Sequence, residues 1–265
     1  MPEGPEIRIM SDFINFKSDG RVYKDLYLVE KGNIPHRFDL VGNFGISSNY
    51  NGKELNLRLH GEKDIDFSVF MGMSGNWKFV STVDWDLTKF IRMRIDSQDG
   101  NSLVLYGGYM GPKYKIGGFS GVKRGPDIVK DFGNFKINVL SNLDKKAFDG
   151  PMCDVLLDQR YFNGVGNYIR STILYYMGLN PFEVSRDYIE NNPQIFDMCR
   201  DVQIVSYELN GGQLKDWKNP FDTDREKFKE WVFYQKGISC KDKTNRTFWF
   251  DSKWLSDCPY ELHIS

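Results

Sequence analysis

Apolar positions along the chain change their period several times. Ile7, Met10, Phe13 and Ile14 recur at helical spacing and predict an amphipathic helix from about Pro5 to Phe16. Pro5 sits near the first helical position and Glu6 puts an acid in the first turn. The period then shortens to two. The stretches "RVYKDLYLVEKG", "ELNLRLHGEKDIDFSVFMGMSGNWKFVS" and "TKFIRMRIDSQDGNSLVLYGG" alternate apolar and polar residues around turn signals such as Asp99-Gly100. Asn51-Gly52 is a strong hairpin signal and places Lys53 at a tip. Short strands at this spacing, over roughly residues 17–125, predict a β-sandwich or barrel.

Near Gly125-Pro126 the period becomes helical again. Val155, Leu156, Tyr161 and Phe162 precede "NGVGN", and Tyr168, Ile169, Ile173 and Leu174 follow it. This predicts a helix, a tight turn and a second helix stopped by Gly178 and Pro181. "NNPQIFDMCRDVQIVSYELNG" predicts another helix ending at Gly211-Gly212. "EWVFYQKGISCKDKTNRTFWFDSKWL" predicts two strands around a polar, basic tip. The fold class is α+β and multidomain. The expected divisions are 1–125 for a β-domain opened by a helix, 126–225 for a helical domain and 226–265 for a hairpin.

Composition narrows the class. The 15% aromatic content argues against disorder. No apolar run approaches the roughly 20 residues that span a bilayer, and no secretion signal opens the sequence. The expected setting is therefore intracellular rather than secreted. A net charge of −1 does not match the usual basic footprint of a nucleic-acid module, although a local patch can act within a neutral whole. "GPKYKIGGFSGVKRG" is such a patch, with Lys113, Lys115, Lys123 and Arg124; by itself it reads as a solvated loop. Cys153, Cys199, Cys240 and Cys258 form no C-x-x-C pair. Cys240, Cys258 and His263 share a region without paired spacing, so neither zinc nor a disulfide is expected.

Candidate chemistry concentrates at the start, "MPEGPEIRIM". Pro at the second position favours removal of Met1, which leaves Pro2 with a free secondary amine. An α-amino group titrates near pH 8, so part of it is neutral and nucleophilic at physiological pH. Glu3 beside it can supply a proton. In "NGVGN", Gly164 and Gly166 permit positive φ and close backbone approach, and Asn167 is placed as a helix N-cap. Amides at such a start suit an anion, DNA phosphate included.

Three stretches, "PEGPEI", "LLDQRYFNGVGNYIRSTILY" and "TNRTFWF", together resemble the formamidopyrimidine-DNA glycosylase and endonuclease VIII family, in the right order and from end to end. The middle stretch is similar to that family's helix-two-turn-helix element. The hairpin without cysteine pairs resembles the zincless finger of one Nei-like branch. The resemblance implies a β-sandwich catalytic domain, a helix-two-turn-helix domain and a zincless-finger hairpin. It also implies a bifunctional DNA glycosylase and AP lyase for oxidised bases, mainly pyrimidines, formamidopyrimidines and hydantoins.

By the resemblance, Pro2 is the nucleophile, Glu3 the acid that helps open the sugar, Glu6 an acid that positions it, and Lys53 a phosphate contact near the lesion. Asn167 and Arg246 grip the flanking phosphates, with Gly166 at the same turn, and Met73 wedges into the gap left by the extruded nucleotide. The implied partner is damaged DNA, as duplex, bubble or single strand, with no cofactor, no metal and a monomeric enzyme. The region "YGGYMGPKYKIGG" departs from the family's Arg- and Phe-bearing loop, leaving Tyr109 or Tyr114 as substitute wedges. Cys153 stands where bacterial members carry a lysine. The competing reading is a DNA-binding scaffold that has lost catalysis, but such a protein would not need Pro2 and Glu3.

Overall fold

The computed structural model describes residues 1–29, 35–82, 90–108, 110–119, 124–212 and 217–262. Tyr109, Lys123 and His263, singled out above, lie outside them. The chain forms two compact units, Met1–Val122 with Asn210–Arg225, and Lys123–Leu209 with Glu226–Ser265.

The first unit opens with helix α1, Gly4–Ser18. Among the described residues nine strands follow: β1 Tyr23–Val29, β2 Pro35–Phe38, β3 Gly45–Asn51, β4 Glu54–His60, β5 Ile65–Phe70, β6 Asn76–Ser81, β7 Ile91–Ser97, β8 Asn101–Tyr106 and β9 Lys113–Ile116. They make two antiparallel sheets, in the orders β2-β1-β7-β8-β6 and β3-β4-β5-β9. Alternation settles which residues face inward, because side chains switch faces at each step. Leu26, Leu28, Met93, Ile95, Leu103, Leu105 and Trp77 share one face of the first sheet; Leu55, Leu57, Leu59, Phe67 and Val69 share one face of the second, all buried. Phe38 meets Phe67 edge-on, with ring centroids 5.8 Å apart, which joins these faces into one core. The antiparallel, two-sheet α+β architecture is the one the alternation predicts.

Helix α1 buries Ile7, Ile9, Met10, Phe13 and Ile14 and packs against β3, β4 and β6. Asn15 ties it to β3, donating to the Ser48 carbonyl at 3.0 Å and accepting from the Ser48 N–H at 2.7 Å. Residues 210–225 belong to this unit. Phe221 stands edge-on to Phe13 at 5.3 Å, and the Lys218 carbonyl accepts from the Asn76 amide at 2.7 Å. The contacts therefore group this stretch with the sheets rather than with the helices that precede it.

One turn sits a residue later than its sequence signal. Asn51 pairs with Glu54, so the connection is Gly52-Lys53, with positive φ at Gly52. Glycine first is the type II′ pattern, whereas Asn-Gly favours I′.

The second unit contains α2 Phe132–Leu140, α3 Met152–Val155, α4 Asn167–Met177, α5 Ser185–Asn191, α6 Ile195–Glu208 and α7 Glu226–Trp231, then the hairpin β10 Ile238–Lys241 with β11 Thr247–Phe250. Phe135 packs on Phe162 and Phe196, and Tyr168 on Phe228. The hairpin packs on α4 and shares this unit with the helices. The first helix before "NGVGN" is one turn long. Asp158 accepts from the Arg160 backbone N–H at 3.0 Å, and such a local bond competes with helix continuation.

Replacing Phe13 by Ala should destabilise the first unit by about 3–5 kcal/mol. For a protein of this size that is roughly a 10 °C fall in melting temperature. Thermal melting checks it, with Asn15→Ala, an exposed position, as the small-effect comparison. Equal shifts for the two variants would contradict the packing described.

Candidate functional site

Pro2 is buried, preceded by a half-exposed Met1. Glu3 caps α1 in an extended conformation and is 4% exposed; Glu6 is 1% exposed. The two acids form a reciprocal capping box: the Glu3 carboxylate accepts from the Glu6 backbone N–H, and Glu6 Oε2 accepts from the Glu3 N–H at 2.7 Å. Both carboxylates stand at the positive end of the helix dipole. The other Glu6 oxygen accepts from the Gly212 N–H at 2.5 Å. This approach needs a glycine beside it. Gly211 has φ +74°, and a Cβ there would lie 2.8 Å from Ile9 Cδ1 and 2.9 Å from Glu6 Oε1. Glu6 thus holds the backbone of Glu3 and of Gly212 at once, and Glu3 is fixed next to residue 2.

Lys53 is half-buried on the Gly52-Lys53 connection of the same unit. Met73 is 37% exposed, on the turn between β5 and β6. That turn is rigidly shaped. Gly75 N–H bonds the Met71 carbonyl, and Met73 N–H bonds the Met110 carbonyl, both at 2.8 Å. At Gly72, with φ +58°, a Cβ would fall 2.1 Å from the Met110 carbonyl. Met73 is therefore an apolar side chain presented outward on a braced turn, not a core residue. Met110 is 62% exposed beside it, a second outward methionine that the sequence reading did not single out. Tyr114 lies half-buried in β9, with its ring edge-on to Phe67 at 6.3 Å.

In the second unit, Gly164 takes positive φ (+104°), whereas Gly166 is extended at φ −127° and is itself the N-cap of α4. Asn167 is the first residue inside the helix. Its side chain turns away from the helix amides, because other groups hold both its ends. Its Oδ1 accepts from Arg170 Nε at 3.0 Å and Nη2 at 2.6 Å, and its Nδ2 donates to the Thr247 carbonyl at 2.6 Å. Asn167 is thereby joined to the residue adjoining Arg246.

Arg246 is exposed at the hairpin tip, where Asp242 organises the turn. Asp242 Oδ1 accepts from the backbone N–H groups of Thr244 and Arg246 at 2.8 and 3.0 Å and from the Thr244 hydroxyl at 2.7 Å. Asp242 Oδ2 lies 2.7 Å from Arg170 Nη2, and both side chains are buried. Burial pushes the Asp242 carboxyl upward, but the Arg246 N–H, the Thr244 hydroxyl and the Arg170 guanidinium outweigh it and hold the group below the usual carboxylate range. Arg170 and Asp242 escaped the sequence reading. The available signal was spacing alone: Arg170 is three residues after Asn167, on one helix face, and Asp242 four before Arg246.

Cys153 is fully buried, and burial pushes its thiol well above the usual range, so it is a poor nucleophile. Among the described residues no group of three or more His, Cys, Asp or Glu is placed to hold a metal. No helix among them is long and apolar enough to cross a membrane.

The first unit fixes two acids beside the second residue, and the second presents an amide and a guanidinium at a glycine turn and a hairpin tip. The solved structures similar to this chain share its fold. They include MutM (Fpg) from Thermus thermophilus (TM-score 0.77, 18% identity, 97% of this chain and 100% of that one). The LlFpg protein in complex with a THF-DNA and an inhibitor is similar too (TM-score 0.78, 16% identity, 96% and 99%). No protein-family model matches. Endonuclease 8-like 1 of Homo sapiens is 29% identical over 292 residues, covering 94% of this chain and 72% of the relative. Endonuclease 8 of Escherichia coli is 25% identical over 251 residues, 91% of each. The chain is similar along nearly its whole length to the formamidopyrimidine-DNA glycosylase and endonuclease VIII proteins, and its enzyme class is DNA glycosylase with AP lyase activity.

Removing the Glu6 carboxylate with Glu6→Ala leaves two backbone donors without their acceptor, at about 1–3 kcal/mol each. The expected readout is a lower melting temperature and faster proteolysis near 211; unchanged proteolysis there would contradict the link to Gly212. For Asp242, the folded value lies below the unfolded one of about 3.9, so its stabilisation is full above that pH and fades as pH falls through the folded value. The melting-temperature gap between wild type and Asp242→Asn should therefore be largest at neutral pH and shrink on acidification below about pH 4.

Proposed function

We propose that the chain is a bifunctional glycosylase and lyase that excises oxidised bases, pyrimidines, formamidopyrimidines and hydantoins among them, through an iminium at Pro2. The observation that carries the reading is the capping box that fixes Glu3 next to residue 2 at a helix N-terminus. With Met1 removed, the neutral Pro2 nitrogen attacks C1′ of an extruded nucleotide. The C1′–base bond breaks and the base leaves with a proton. Glu3 gives a proton to the ring oxygen, the C1′–O4′ bond opens and an iminium forms. The iminium acidifies the C2′ proton. Its loss gives an enamine that expels the 3′ phosphate, and a second elimination expels the 5′ phosphate. Hydrolysis then frees the amine.

Lys53, Asn167, Gly166 and Arg246 are assigned to phosphates and Met73 to the gap. A chain of net charge −1 can still bind DNA this way, because amides, Asn and a few cations position the backbone without a basic domain.

Borohydride trapping on duplexes bearing an abasic site or thymine glycol tests this. The expected result is a covalent adduct that peptide mapping places on residue 2, with Glu3→Gln slowing its formation on the base-containing substrate by about 10²-fold or more. An adduct on Lys53, or none with either substrate, would overturn the Pro2 assignment.

A further inference from the structure

We propose that Arg170 is a positioning residue that sets the DNA-gripping geometry of the second unit, by fixing the amide of Asn167 and the tip of the hairpin through one buried guanidinium. The proposal rests on the reading of Asn167 and Arg246 as phosphate contacts.

Arg170 is fully buried, and its contacts run in three directions. Nη1 donates to the Cys153 carbonyl at 3.0 Å, Nε and Nη2 to Asn167 Oδ1, and Nη2 also pairs with Asp242 Oδ2. Its plane lies over the Phe248 ring, 4.8 Å from the centroid. A guanidinium has only donors in a rigid fork. Two of its nitrogens on Asn167 Oδ1 therefore decide which way the asparagine amide points. The carbonyl end is taken by Arg170, and the NH2 end faces Thr247 and the hairpin. A phosphate needs a donor, so an amide turned the other way would repel it.

The same guanidinium faces Asp242, whose other oxygen gathers the Thr244 and Arg246 N–H groups. The backbone from which Arg246 projects is thus tied to the helix that carries Asn167. Simple packing would not require this arrangement. A buried ion pair is weak evidence for net stability, because desolvation offsets much of the attraction. What the pair does supply is a fixed relation between two groups that must meet adjacent phosphates.

Fluorescence anisotropy with a duplex containing a tetrahydrofuran abasic analogue tests the proposal, on full-length wild type, Arg170→Lys, Asn167→Ala and the double variant. Lysine keeps the charge for Asp242 but cannot hold Asn167 with two nitrogens. Circular dichroism at the assay temperature establishes that each variant is folded. The expected result is about tenfold weaker binding for each single variant and no further loss in the double variant, the signature of one shared contact. If Arg170→Lys does not fold, Arg170→Met with Asp242→Asn removes both buried charges together and serves in its place.

A merely structural Arg170 would lower the melting temperature yet leave the affinity of the folded protein unchanged, or add its loss independently to that of Asn167→Ala. Either outcome overturns the proposal. An Asn167→Ala variant that binds as wild type would instead overturn the phosphate reading on which it rests.

Discussion

The carboxylate of Glu6 is the fixed point of the first unit. It is nearly without exposure, and it accepts one N–H from the start of its own helix and one from Gly212, 206 residues along the chain. A carboxylate out of water is costly unless its oxygens are satisfied, so both bonds must form together. That requirement brings a distant glycine pair against α1 and holds the backbone of Glu3 still. The chemistry proposed at residue 2 is usable only if its neighbour does not drift, and the N-terminal residues of most chains do drift.

The second unit solves a similar problem with opposite charge. Its hairpin is short, and four-residue strands bury little surface by themselves. Packing of Phe248 and Phe250 against Phe182 gives it a floor. The Arg170–Asp242 pair then sets its tip. In both units a buried charged group, held by several polar contacts, fixes the polar groups assigned to DNA. The near-neutral net charge of the whole chain follows naturally, since affinity is assigned to a few oriented contacts rather than to a broad basic field.

Much of the fold was legible from period alone. The alternation around Leu55, Leu57 and Leu59 or Ile95 and Leu103 identifies both the strands and their inward faces, because period two has one solution once a face is buried. The helix at residues 4–18 and the helix ended by Gly178 were legible from helical spacing, and the terminal hairpin from two apolar runs around a polar tip. The one-turn α3 was not, since Asp158 diverts the backbone with a side-chain bond that apolar spacing does not register. Nor was the shift of the turn to Gly52-Lys53, a choice between neighbouring registers made by strand pairing.

For the candidate site, the sequence determined the residue types on which the proposed chemistry rests. Pro2, Glu3, Glu6, Asn167 and Arg246 are marked by type and by local spacing, and a short motif preserves that information. The tertiary structure decided what holds them. The Glu6–Gly212 bond, the bracing of Met73 by Met110, and the Arg170 contacts to Asn167 and Asp242 join residues from 3 to 206 positions apart, most of them on different elements. Beyond the three-residue step from Asn167 to Arg170 on one helix face, no local pattern encodes such pairs. Each arises because a buried polar group must find a partner, and only the folded chain determines which partner is within reach.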